Sequence, residues 1–366
     1  FLLFPKMLSA WWILLSVLAV VSGSSVCPCE TPQLCQQIQK EREFEVFVFD
    51  VGGKTWKSYN WNMVTTVAAF GDYDAELMCF AHSKGARVVL KGDFHLPYIV
   101  DRANRTAWIT KQISLAKSQF MDGINIDIEQ EVDKGSPEYF ALTSVVKETT
   151  EAFHREIPGS QVSFDVAWSP KCIDKRCYDY ISIAEYCDLL FVMSYDEQSQ
   201  IIGDCIAMAN APLKQTLKGY EEYLDLKIHY KKLVMGVPWY GYDYPCVNLS
   251  QEGICYIPQV PFRGAPCSDA AGSQKNYEWI MKQLKSSSGR MWDDEQQAPY
   301  FNYKDQSGKA HQVWYDDPQS LCAKANYVML KGLRGIGMWN GNILDYSDDP
   351  DAQNQTTQMW NALLGC

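Results

Sequence analysis

The sequence predicts an α/β fold in which eight parallel strands alternate with helices and close into a barrel, with a small α+β insertion between strands 7 and 8. Three observations carry this expectation. Short apolar runs recur at residues 44–50, 64–70, 86–91, 123–129, 162–168, 189–195, 233–239 and 335–340. Helix-length segments such as 101–120, 137–156 and 212–226 separate most of them, and in the second Tyr139, Leu142, Val145, Val146 and Phe153 recur close to the 3.6-residue period. Finally, about 95 residues separate Trp239 from Gly335, where a helix-containing crossover takes about 30. Strands alternating with helices imply βαβ units, and eight such units match a TIM (β/α)8 barrel. A doubly wound open sheet is the alternative topology. Residues 241–313, with Cys246, Cys255, Cys267 and several prolines, form the expected insertion.

Taking the elements in order, the N-terminus has the pattern of a signal peptide over residues 1–23. Lys6 precedes a mostly apolar run from 8 to 21, followed by the small residues Ser22 and Gly23. The run is short for a membrane span, which needs roughly 20 residues. Residues 24–366 are then expected as the mature, secretory barrel, with no membrane partner. Three N-x-[ST] sequons, at Asn104, Asn248 and Asn354, agree with export. So do 13 cysteines, most of which should pair in an oxidising compartment. The odd number leaves one unpaired, and the terminal Cys366 is the candidate. Cys27, Cys29 and Cys35 could suggest a metal cluster, but disulfides are the expected use. The five histidines form no H-E-x-x-H pattern, so no catalytic metal and no cofactor are expected. The net charge of -11 argues against nucleic acid as a partner, because phosphate binding needs a basic face. A monomer is expected.

The fourth run is the informative one. In Gly123-Ile-Asn-Ile-Asp-Ile-Glu129, Ile124, Ile126 and Ile128 alternate with Asn125, Asp127 and Glu129. Side chains on a strand face opposite sides with period two, so one face is all isoleucine and the other carries an amide and two acids. Barrel active sites sit at the C-terminal ends of the strands, which is where Glu129 falls, with Asp127 roughly 6–7 Å behind it. The bland alternative is an acid pair satisfied by Lys91 of the third strand. The other strand ends favour a site. Met193 and Tyr195 share one face of the sixth strand, followed by Asp196. In the eighth strand Gly335 and Gly337 leave room beside Trp339, a flat floor for a sugar ring. Two carboxylates in a sugar pocket suggest glycoside hydrolysis. Yet Asp127 and Glu129 are neighbours on one face and can hardly flank a scissile bond from opposite sides. A substrate with a 2-acetamido group supplies its own nucleophile, while Glu129 protonates the leaving oxygen. Burial and the Asp127 charge are both expected to raise the pKa of Glu129.

These residues resemble a known family. Asp122-Gly-Ile-Asn125-Ile-Asp127-Ile-Glu129 looks like the D-G-x-D-x-D-x-E signature of family 18 glycoside hydrolases. The stretches Met193-Ser-Tyr195-Asp196, 232–241, 335–339 and 314–317 with Ser320 are similar to its other strand motifs. The resemblance implies substrate-assisted catalysis, with Glu129 as proton donor, Asp127 orienting the acetamido group, Tyr195 holding the cyclised intermediate and Trp339 flooring the sugar. It places Asn125, Met193, Asp196 and Tyr240 at substrate-contacting positions. A closer likeness within the family, carried by residues 44–50, 82–92 and 261–267, implies a lysosomal enzyme that splits the GlcNAc-β1,4-GlcNAc core of asparagine-linked oligosaccharides from the reducing end. The same chemistry in a different groove would serve a secreted chitinase or endo-β-N-acetylglucosaminidase, and a lectin-like binder would usually lack the acid that Glu129 supplies. One departure stands out: the family's first inner acid is Asn125 here, so Asp127 is expected to be managed by a neutral amide.

Overall fold

The computed structural model describes residues 26–366, so the signal-peptide segment at 1–23 lies outside the described residues. All eight expected strands form. They are β1 (Glu45–Asp50), β2 (Thr66–Ala69), β3 (Arg87–Gly92), β4 (Gly123–Ile126), β5 (Gln161–Ala167), β6 (Leu189–Met193), β7 (Leu233–Pro238) and a closing strand, Gly335–Trp339. Each pairs in parallel with its neighbours, and the closing strand pairs with both β7 and β1, so the sheet is a closed barrel. The doubly wound alternative is thereby excluded.

Period-two alternation builds two separate apolar layers. Val46, Val48, Ile124, Ile126, Ile128, Leu190 and Val192 belong to the layer between barrel and helices. Phe47, Phe49, Val89, Phe191, Met193, Tyr195 and Val234 fill the barrel interior. Phe191 is the centre of the inner layer, with its ring 4.7 Å from that of Phe49 and 5.4 Å from that of Phe47. Gly236 and Gly337 exist to admit it: a Cβ at either would lie 2.6–2.7 Å from ring atoms of Phe191.

The helices start where capping chemistry allows. Asp101 caps Arg102–Ser118 and Ser136 caps Pro137–Glu156, each accepting backbone N–H groups of the first turn. The latter helix buries Leu142, Val145, Val146 and Phe153 against the barrel. Asp317 and Ser320 form a capping box on Pro318–Lys331, so this signature stretch is structural. No helix among the described residues is long and apolar enough to cross a membrane.

Between β7 and the closing strand, the strands Tyr240–Pro245, Ser273–Asn276, Met291–Asp293, Ala298–Lys304 and Ala310–Trp314 form an antiparallel sheet with the helix Tyr277–Leu284. Six disulfides pair Cys27–Cys35, Cys29–Cys79, Cys172–Cys177, Cys205–Cys267, Cys246–Cys255 and Cys322–Cys366. The expectation that Cys366 is the orphan is corrected: the free thiol is the buried Cys187, pushed up to about 12 by burial. Cys366 instead closes the C-terminal tail onto Cys322 of the helix Pro318–Lys331, which precedes the closing strand. Asn248 and Asn354 are exposed, the latter on the helix Pro350–Ala362, whereas Asn104 is half-buried with its amide donating to the Tyr98 carbonyl at 2.9 Å.

Candidate active site

β4 ends at Ile126, so Asp127 and Glu129 stand on an extended continuation rather than within the strand. The Asp127 N–H still donates to the Gly92 carbonyl at 2.8 Å, which keeps the alternation in phase. Ile128 therefore stays in the outer layer and both acids turn inward. They meet Phe49, Asp165, Met193, Tyr195, Asp196, Tyr240, Gln274 and Trp339 around one cavity of about 250 Å³. Seven of the eight catalytic and substrate-binding residues expected from sequence thus line a single space. The eighth, Asn125, lies directly behind it, fully buried.

Trp339 is wedged against Phe49 and Phe70, with ring centroids 5.3 and 5.7 Å away, which fixes the orientation of its ring. Asp196 adopts a left-handed backbone (φ 51°), and its N–H is held by Asn210 Oδ1 at 2.7 Å. Its carboxylate accepts hydrogen bonds from the Tyr240 and Tyr242 hydroxyls at 2.6 and 2.8 Å. Burial raises the Asp196 pKa nonetheless. Burial also pushes the Tyr195 phenol up, so it remains a hydrogen-bond donor.

Two electrostatic expectations are corrected. Glu129 is not buried: its side chain is 57% exposed, and Arg176 Nη1 holds it in an ion pair at 3.0 Å. Asp127 is the buried member of the pair, pushed up to about 6, first by burial and then by the Glu129 charge. Lys91 does not satisfy either acid, since it pairs with Asp93 at 3.1 Å. Asn125 also does not serve Asp127 in the expected way. Its Nδ2 donates instead to Ser163 Oγ at 2.9 Å and Asp165 Oδ1 at 2.8 Å on β5. Asp127 Oδ1 and Asn125 Oδ1 are both buried without a partner among the described residues.

Sequence reasoning missed Asp165 and Arg176. Asp165 is fully buried, with a pKa raised by burial and by Asp127. A signal for it existed: Ser163, Asp165 and Ala167 alternate with Val162, Phe164 and Val166, the same pattern that exposed the acids of β4. Arg176 lies in the irregular segment after β5 and carries no periodic signal. Its guanidinium is buried and also binds Asp174 at 3.1 Å.

A second cavity of about 210 Å³ adjoins the first, sharing Glu129, Met193, Tyr195 and Asp196. It adds the aromatic rings of Trp168 and Phe262, the Arg176–Asp174 pair and Asp269. Phe262 and Asp269 come from the insertion, which is tied to the loop after β6 by Cys205–Cys267 and by the Ile201 N–H to the Cys267 carbonyl. Two aromatic-lined compartments thus meet at Glu129.

An acidic, aromatic-floored cleft at the C-terminal mouth of an eight-stranded barrel defines a glycoside hydrolase. Residues 37–342 match the family described as Glycosyl hydrolases family 18, and the chain belongs to that family. It is 66% identical to the di-N-acetylchitobiase of Mus musculus over 352 residues, covering 96% of each chain. It is 64% identical to that of Homo sapiens over 344 residues, 94% of this chain and 89% of the relative. Its fold is similar to that of the family 18 chitinase from Cycas revoluta in complex with (GlcNAc)3, with a TM-score of 0.68 and 19% identity, covering 87% of this chain and 99% of that one.

Proposed function

We propose that this glycoside hydrolase cleaves the β1,4 bond of di-N-acetylchitobiose units, releasing the reducing-end GlcNAc by substrate-assisted catalysis with retention. The observation that carries the reading is the placement of Asp127 and Glu129 side by side on one inner face, with the two compartments meeting at Glu129. The compartment floored by Trp339 takes the sugar whose bond breaks, and the one with Trp168 and Phe262 takes the leaving sugar. Glu129, at the junction, reaches the bridging oxygen.

The remaining carboxylates are poor nucleophiles in this setting. Asp196 is tied by two tyrosines, and Asp165 is buried with one carboxylate oxygen held by Asn125 Nδ2. The substrate's acetamido oxygen therefore attacks the anomeric carbon as the leaving oxygen takes a proton from Glu129, and water later opens the cyclised intermediate. Below about pH 6 Asp127 holds a proton. The Asp127–Glu129 pair then carries one proton even while Arg176 neutralises Glu129. Substrate binding must draw Glu129 off Arg176 for that proton to reach it. Asp127 accepts the acetamido N–H as its own proton leaves, and the Tyr195 hydroxyl supports the carbonyl oxygen. Internal attack exploits effective molarities of about 10⁵–10⁸ M.

An acidic compartment reached through the secretory pathway, the lysosome, suits this chemistry. It is supported by six disulfides and by several buried acids that retain protons near neutrality. Loop residues of the insertion lining the second compartment favour terminal over internal cleavage. Product analysis with reducing-end-labelled chitotetraose tests this. Release of one labelled GlcNAc per first turnover supports the reading, and internal cuts that yield labelled chitobiose would overturn it.

A further inference from the structure

We infer that the opposite, N-terminal mouth of the barrel is a binding site for a phosphate-type oxyanion, free or carried as a monoester. The cavity there measures about 460 Å³. It is lined by Arg87 at the start of β3, Gln161 at the start of β5, Arg334 just before the closing strand, and Arg42 from the segment entering β1. Ser160 contributes a hydroxyl.

The hydrogen-bond bookkeeping of this cavity is unusual. Among the described residues, fourteen buried side-chain polar atoms have no partner, and five of them belong to this one lining: four able to donate, the Nε atoms of Arg42, Arg87 and Arg334 and Ser160 Oγ, and one acceptor, Gln161 Oε1. Buried polar groups in folded proteins are generally paired, so such a concentration points to a missing partner. Arg87 is the most telling. It is 7% exposed, and its guanidinium forms neither an ion pair nor a hydrogen bond among the described residues. Arg42 donates only to the Gly85 carbonyl, at 2.9 Å, and Arg334 reaches Glu45 at 3.4 Å.

The acids nearby do not neutralise this set. Asp188 Oδ2 is already taken by His154 Nε2 at 2.9 Å and the Val162 N–H at 2.7 Å. Glu45 is shared among Arg334, Thr65 and Thr66, and Glu41 is exposed on the rim. Forked guanidinium groups match the paired oxygens of phosphate or sulfate, and several of them converging favour a doubly charged anion. Four of the lining residues sit on or beside barrel strands, so the site is rigid. It faces away from the cleft that holds Glu129.

Isothermal titration with inorganic phosphate, sulfate and a hexose monophosphate at constant ionic strength tests the inference. We expect one-site saturable binding of phosphate with a Kd below about 1 mM. The Kd should weaken at least tenfold in Arg87→Met and in Arg42→Met. Arg42→Met, on a partly exposed segment, keeps the test open if Arg87→Met fails to fold, and its sugar hydrolysis should stay within about twofold of wild type. Tighter binding of the monoester than of phosphate would identify a carried group, and the reverse a free ion. Absence of saturable binding, or an unchanged Kd in a folded variant, would overturn the inference, with water alone filling the cavity.

Discussion

Removing the carboxyl at position 127 should change how stability depends on pH. Asp127 is pushed up to about 6 from its ordinary 3.8, chiefly by burial. In the folded chain it therefore keeps its proton over a range where the unfolded chain has lost it. Below about pH 4 both states are protonated and this group costs nothing. As pH rises through about 6 the folded state must ionise a desolvated group, and stability falls by about 3 kcal/mol, a little under 1.4 kcal/mol for each pH step of the difference. Asp127→Asn keeps the shape and abolishes the titration. The variant should gain about 3 kcal/mol over wild type between about pH 4 and pH 7. For roughly 340 ordered residues, at about 2.1 cal/mol/K each, that is about 4 °C in Tm. Thermal unfolding of both proteins across that range, followed by calorimetry, measures it. Wild type should also lose stability beyond the Asp127 window, because burial raises Asp269 to about 7 and Glu197 to about 8 with the same sign. A constant Tm difference between Asp127→Asn and wild type across the range would refute the claim that Asp127 holds its proton in the folded state.

Three further outcomes follow from the same geometry. Glu129→Gln should lower kcat by about 10²–10⁴-fold while leaving oligosaccharide binding intact, because only the proton is lost; more than roughly a tenth of wild-type kcat would show that another group is the acid. Asn125→Asp places a carboxyl between Asp165 and Asp127 and should shift the limb of the kcat–pH profile to higher pH, since like charges disfavour ionisation; an unchanged profile would show that position 125 is not coupled to the pair. Gly337→Ala drives a Cβ to 2.3 Å from the Phe47 carbonyl oxygen and 2.7 Å from the Phe191 ring. It should destabilise the barrel by about 1–3 kcal/mol or more, and a Tm within about 1 °C of wild type would contradict the packing described.

Much of this molecule was legible because period-two alternation survives burial. Recurrent apolar runs located all eight barrel strands, and alternation separated Ile124, Ile126 and Ile128 from the acids even though β4 itself stops at Ile126. Alternation says which way a side chain points but not how far water reaches. That is why Glu129 was expected buried and is instead exposed, while the deeper Asp127 has the raised pKa. Partners from irregular segments left no trace in the sequence, and Arg176 is the example. Asp165 was readable by the logic already applied to β4, had β5 been treated the same way. Cysteine pairing was beyond reach, because pairing depends on where chain ends return, and Cys366 returns to Cys322.

The central claim is that the substrate's acetamido group, and no carboxylate of the chain, attacks the anomeric carbon. The most direct measurement is steady-state hydrolysis of chitobiose beside an analogue whose non-reducing 2-acetamido group is replaced by hydroxyl. Glu129 and Trp339 remain available to the analogue, so only the internal nucleophile is missing. The account predicts no measurable turnover of the analogue, because an advantage of about 10⁵–10⁸ M in effective concentration is gone. Appreciable cleavage of it, or a glycosyl group trapped on Asp127, Asp165 or Asp196, would contradict the account.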